Sequence, residues 1–262
     1  MDLAPDIIAF LIAAAFVAGF IDALAGGGGL ITLPALLAAG VPPLAALGTN
    51  KLQSSFGTAT AFFTFARAGH VDVRRFALPA LASFLGSATG AFTVQRIDPS
   101  FLAGFIPLLL IAMAIYFLAG PKMRDEDRHT RIGAAGLFLF SAGIGFYDGF
   151  FGPGTGSFFT TMLVALAGLG VVRGVAHTKM LNLASNLAGL SAMIVGGHVL
   201  WLLGLAMAGA SIAGGKAGAH AAMRFGARAV RPLLVCMCLA LTVKLLADPA
   251  NPLRMEIAAL LG

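Results

Sequence analysis

Gly19-Phe20-Ile21-Asp22, followed by Gly26-Gly27-Gly28-Gly29, returns later as Gly145-Phe146-Tyr147-Asp148, followed by Gly152-Pro153-Gly154-Thr155-Gly156. From Asp22 to Asp148 the offset is 126 residues. Farther along, Asn50-Lys51-Leu52 is matched by Thr178-Lys179-Met180, and Gly69-His70-Val71 by Gly197-His198-Val199. Gly86 is matched by Gly214, and Gly90-Ala91 by Gly218-Ala219, all at an offset of 128. A gap of two residues reconciles the offsets. Matches that keep their order over this length mark an internal repeat, and a repeat fixes the architecture before any single element does.

Each copy reads as five helical segments. They fall at 7–25, 30–47, 49–67, 76–95 and 101–119 in the first half, and at 132–150, 156–170, 174–196, 200–222 and 230–247 in the second. The second segment of each copy is short or interrupted, by Pro34, Pro42 and Pro43 in the first and by Gly168-Leu169-Gly170 in the other. Short, Gly/Pro-interrupted apolar segments at matching places in two halves point to a transporter binding site.

The environment of these segments follows from composition. The chain is 59% hydrophobic and 11% charged, with a mean hydropathy of +0.93. A soluble domain carries roughly 25% charged residues, so this surface faces lipid. Leu102–Ala119, Ile132–Tyr147 and Val230–Leu246 each approach the ~20 residues that cross a bilayer. The fold class is therefore all-α and polytopic. The net charge of +6 sits in short loops, a membrane-orientation pattern rather than a nucleic-acid surface. Cys236 and Cys238 lie in one apolar run and read as packing residues. The acidic N-terminus lacks the basic region of a cleaved signal, so the first segment reads as a retained helix.

Loop charge selects the topology. With five crossings per half the halves are inverted. One side then holds Arg67, Arg74, Arg75, Lys122, Arg124, Arg128, Arg131, Arg173, Arg224, Arg228 and Arg231, and the other holds Arg96 and Arg254. Four crossings per half would make the halves parallel and even out that split. The positive-inside rule prefers five. The expected organisation is a first membrane repeat over 1–120, a cytoplasmic linker over 121–131 and a second repeat over 132–262, with both termini periplasmic.

Ionisable groups at bilayer depth are costly and mark function by default. Asp22, Lys51, Asp148, Lys179, Lys216 and Lys244 are such groups, and two pairs of them are repeat mates: Asp22 with Asp148, and Lys51 with Lys179. Inverted repeats gather equivalent residues around a central axis. Lysine supplies charge and donors, and glycine loops with helix N-termini let backbone N–H groups reach an anion. The expected binding set is Gly26, Gly27, Gly28, Gly29, Asn50, Lys51, Ser54, Gly152, Gly154, Thr178, Lys179, Asn182 and Asn186. Asp22, Asp148 and His177 stand as coupling or structural residues. Other readings stay open: lysines that snorkel to an interface, aspartates that cap broken backbone, and Asn or Ser that only join helices. His177 has Thr49 as its repeat mate, which argues against an essential role in a symmetric mechanism. No protease, metal or Walker A motif is present, so an intramembrane enzyme is the weakest reading and no cofactor or metal is expected.

Asp22 before its glycine run and Thr32-Leu33-Pro34, then Thr49-Asn50-Lys51 and Gly69-His70-Val71, resembles the TauE/SafE sulfite exporter family. The run from His177 to Asn186 is similar to the YfcA-like branch of that family. The resemblance implies a bacterial inner-membrane permease, without cofactor, for sulfite or related organosulfur anions. It also implies about eight spanning segments, fewer than the ten read above. Expected partners are a small anionic substrate and the lipid bilayer, not nucleic acid, with a homodimer among the open assemblies. An anion channel of the same architecture is the alternative.

Overall fold

The computed structural model describes residues 3–98 and 130–226. Segments 101–119 and 230–247, the linker up to residue 129, and Cys236, Cys238 and Lys244 lie outside the described residues.

Pro5 opens α1 (Pro5–Ala25), where its missing N–H costs nothing. Gly26, at φ 87°, closes that helix by donating its N–H to the Asp22 carbonyl (2.8 Å), a conformation that favours glycine. The chain then folds back as α2 (Gly29–Ala38), only ten residues long. This corrects the segment expected at 30–47. Pro34 lies inside it without ending it, although its missing N–H leaves out the bond to the Leu30 carbonyl. Pro42 and Pro43 do not interrupt it either. Pro43 is the first residue of α3 (Pro43–Arg67), which begins six residues earlier than the sequence expectation of 49.

Asp72 caps α4 (Val73–Val94), its Oδ1 accepting the Arg75 N–H at 3.0 Å. In the second half α5 spans Ala134–Phe150 and α6 spans Thr155–Thr161, extended by a π-helical turn over Met162–Leu166. Two 25-residue helices follow, α7 (Val171–Val195) and α8 (Trp201–Phe225). α2 and α6 are too short to cross ~30 Å of hydrocarbon at 1.5 Å per residue. α1, α4 and α8 are long and apolar enough to do so. α3 and α7 are long enough but polar, because they carry the lysines.

Polarity is arranged inside out. Leu78, Leu139, Val195 and Leu202 are among the large apolar side chains exposed on the outside, whereas Lys51, Lys179, Asp148, Asn182 and Asn186 are buried. Such a molecule is at home in lipid. It is a polytopic all-α membrane protein.

Close packing fixes helix direction. A Cβ on Gly86 would overlap Ala142 and Phe146, and one on Gly90 would overlap Phe146 and Phe150, so α4 and α5 run the same way. Gly214 against Phe16 and Phe20, and Gly218 against Phe20, set α8 parallel to α1. These two contacts join repeat-related residues. Gly204 packs on Leu52 and Ser211 on Gly57, so α3 is also parallel to α8. Ser83 Oγ donates to the Leu181 carbonyl, and Ser87 Oγ to that of Ser185, so α4 is parallel to α7. Gly48 lies near Met193 and Lys51 near Gly189, which makes α3 and α7 antiparallel. Thus α1, α3 and α8 point one way and α4, α5 and α7 the other. Arg67, Arg74, Arg75, Arg131, Arg173 and Arg224 then fall at one end of the bundle, and Arg96 at the other.

Candidate functional site

The glycine loops meet at the centre. Ser157 N–H donates to the Gly26 carbonyl (3.0 Å) and Ser157 Oγ to the Ala25 carbonyl (2.8 Å). A Cβ on Gly26 would strike the backbone of Gly156 and Ser157, and one on Gly156 would strike Gly26. The first turns of α2 and α6 therefore start from one point. Gly154, at φ 84°, turns the chain into α6. The π-helical turn and the two-residue gap both lie in the second half, so the halves are alike but not identical here.

Each central lysine crosses to the aspartate of the other half. Lys51 Nζ lies 2.7 Å from Asp148 Oδ1, and Lys179 Nζ lies 2.9 Å from Asp22 Oδ2. Both lysines are buried, so neither snorkels to an interface. Lys51 also donates to Asn186 Oδ1 (3.2 Å), and Lys179 donates to the Asp22 main-chain carbonyl. Thr58 and Asn186, repeat mates, face each other at 3.5 Å, and Thr58 Oγ1 donates to Asp22 Oδ2 at 3.4 Å. The four charges cancel in pairs. The pairs differ in access: the Asp148 side chain is 3% exposed and that of Asp22 is 17%.

Between these groups lies a cavity of about 20 Å³. It holds about one water and is too small for a tetrahedral oxyanion, so the conformation is closed around the site. Asp22, Gly26, Gly29, Asn50, Lys51, Ser54, Asp148, Gly152, Gly154, Asn182 and Asn186 border it, together with Thr155 and Gly156, which the sequence reading did not single out. Both were detectable there, as residues of the second glycine cluster. Gly28 borders a second small cavity with Asp22, Gln53, Ser54 and Thr58. Gly27 borders neither cavity.

Thr178 sits behind the cavity, its hydroxyl 3.1 Å from that of Thr160. The repeat-related pair does the same: Thr32 Oγ1 donates to Asn50 Oδ1 at 2.5 Å. These bonds tie each short helix to its lysine helix. His177 is elsewhere. Its Nε2 accepts the Asp72 N–H (2.9 Å), and Nδ1 lies 2.7 Å from the Arg173 carbonyl. Thr49 Oγ1 likewise accepts the Leu200 N–H (3.1 Å). His177 and Thr49 are thus equivalent acceptors that each satisfy the N-cap backbone donor of a helix in the other half, α4 for His177 and α8 for Thr49.

The chain resembles known proteins over nearly its whole length. It is 48% identical over 257 residues to "Probable membrane transporter protein ORF9" of Sinorhizobium sp, covering 97% of each chain. It is 44% identical over 250 residues to a "Probable membrane transporter protein" of Haemophilus influenzae, covering 95% of this chain and 98% of the relative. With "Probable membrane transporter protein YfcA" of Escherichia coli K12 it shares 40% identity over 247 residues, covering 94% and 92%. No solved structure matches it. These relatives are transporters, not enzymes. The model of the sulfite exporter TauE/SafE family matches residues 11–245, and the protein with these crossed lysine–aspartate pairs belongs to that family.

Proposed function

We propose that the protein is a secondary transporter of a small sulfur-containing anion, sulfite or an organosulfonate, and that it exports this anion across the bacterial inner membrane. The carrying observation is the central cavity, where the α2 N-terminus, Lys51, Asn50, Asn182 and Asn186 converge beside a backbone free of side chains. Backbone N–H groups, a helix dipole and amide donors suit a compact oxyanion. The description of the family as sulfite exporters supports the sulfur chemistry and the direction.

Two inverted halves, 1–120 and 132–262 joined by a short linker, would work by alternating access around this site. Support comes from helix direction: α1, α3 and α4 each run opposite to α5, α7 and α8, their repeat mates. The arginine-rich end is then cytoplasmic and the termini periplasmic. A cysteine placed at Gly69 or Gly226 should be protected from impermeant reagents in intact cells, and labelling of either from outside overturns this orientation.

The decisive test is a binding and counterflow screen on purified protein, with sulfite, thiosulfate, methanesulfonate, sulfoacetate, taurine and a carboxylate control. Exchange of labelled sulfite or sulfonate in proteoliposomes is the expected result. Net flux without exchange indicates a channel, and preference for the carboxylate removes the sulfur anion.

A further inference from the structure

We propose that the anion is carried together with a proton, and that Asp22 is the residue that binds it. This rests on the anion-carrier reading and adds the coupling ion to it.

Electroneutrality is the first ground. In the closed site Lys51 is matched by Asp148 and Lys179 by Asp22. An arriving monoanion would leave one negative charge unbalanced in a buried place, which is strongly unfavourable. A proton on one of the two carboxylates restores the balance. It also leaves one ammonium charge to be matched by the anion.

Access selects the carboxylate. The Asp22 side chain is 17% exposed and that of Asp148 3%. Asp22 borders the central cavity and also the second one between α1, α3 and α8, whereas Asp148 borders only the first. Asp22 is also better prepared for the change. Lys179 bonds both its carboxylate and its main-chain carbonyl, so the lysine stays anchored when the carboxylate is neutralised. Lys51 has no carbonyl of Asp148 among its partners and holds that carboxylate and Asn186.

The surroundings of Asp22 contain few competing groups. α7 presents Lys179, α3 presents Lys51 and Thr58, and α5 contributes Asp148 across the cavity. α2 and α6 carry no ionisable residue. On α8, Lys216 and His220 are exposed and turned away, while buried Ser211 faces α1. His177, two residues before Lys179 on α7, has both ring nitrogens occupied by the Asp72 N–H and the Arg173 carbonyl and takes no part.

In the proposed step a proton from water adds to the Asp22 carboxylate, which becomes a neutral carboxylic acid. Lys179 remains an ammonium held by the Asp22 main-chain carbonyl, and its charge is balanced by that of the anion in the adjoining cavity. On release the same proton returns to water with the anion, and no other bond forms or breaks.

Calorimetry on the purified full-length protein tests this with methanesulfonate, which stays a monoanion across the range used. Titrations in buffers of different ionisation enthalpy count the protons taken up. The expected result is about one proton per anion, with the apparent Kd rising as the pH rises because binding takes a proton from water. Asp22→Asn should bind with a Kd independent of pH and without proton uptake, and the protonated-carboxyl infrared band that anion binding raises in the natural protein should move in the charge-keeping Asp22→Glu and stay in place in Asp148→Glu. Binding by the natural protein with no proton uptake overturns the proposal and leaves the anion site standing. Proton uptake that persists in Asp22→Asn overturns the assignment. No binding of methanesulfonate or of any other screened anion, at any pH, removes the anion site and the proton step together. If one Glu variant fails to fold, the other decides the assignment: a band that stays in Asp148→Glu supports Asp22, and a band that stays in Asp22→Glu overturns it.

Discussion

The two lysine–aspartate pairs are built from repeat-related residues, yet one is sealed and the other is not. Lys51–Asp148 is enclosed by α3, α5 and α7, with Gly152 and Asn186 against it. Lys179–Asp22 has the same crossing geometry but opens onto the second cavity, beside Thr58 and Gly28. Equal chemistry in unequal solvent teaches that sequence symmetry does not enforce one state on both halves. Under the proposed alternating access, each pair would be sealed and opened in turn.

The largest effect should come from breaking the sealed pair. Lys51→Met strands a buried carboxylate and should lower stability by about 3–5 kcal/mol. Lys51→Met with Asp148→Leu should recover most of that loss. Thermal unfolding in detergent measures both, and a double variant as unstable as the single one would mean that the pair is not an isolated unit.

Lys179→Met should cost less, about 1.5–3 kcal/mol, because the Asp22 carboxylate keeps Thr58 and some water. Equal losses for the two lysine variants would erase the distinction drawn between the pairs.

Gly149 sits next to Asp148, and its repeat mate is Ala23. A Cβ there would collide with the Ser87 backbone on α4, so Gly149→Ala should cost about 1–3 kcal/mol and loosen the sealed pair. Reaction of a cysteine at Asn186 with a small thiol reagent should then speed up. Gly143→Ala, on the open face of the same helix, meets nothing and should be neutral or stabilising by about 0.5–1 kcal/mol.

The smallest effects belong to the backbone-capping pair. His177→Ala and Thr49→Ala should each cost about 1 kcal/mol and leave anion affinity unchanged. A change in affinity for His177→Ala alone would move that histidine into the transport machinery.

Much of this was legible in the sequence. The repeat offsets identified Asp22 with Asp148 and Lys51 with Lys179, and the segments expected at 7–25, 76–95 and 200–222 correspond to α1, α4 and α8, the described helices long and apolar enough to span. The crossing of the pairs was not legible, because a repeat states which residues are equivalent and not which ones touch. The cost of four buried charges held a hint, since lone charges at that depth need partners. Reading Pro42-Pro43 as an interruption sets the limits of α2 wrongly, because proline at the first helical position marks a start. His177 and Thr49 share a role as acceptors but no chemical likeness, so aligning residue types hid their equivalence.

The contact between Gly26 and Gly156 is made of main chain alone, which carries a consequence at the level of the gene. Any missense change at either codon adds at least one carbon where there is no room for it. Selection has no graded adjustment available at this point, only retention or loss. The walls of the cavity can drift through Asn50, Ser54 or Asn182, while the junction between the two loops cannot. A saturation scan should therefore return glycine alone at positions 26 and 156, against a broad set at Gly133 and Gly143, where a side chain has open space or few neighbours.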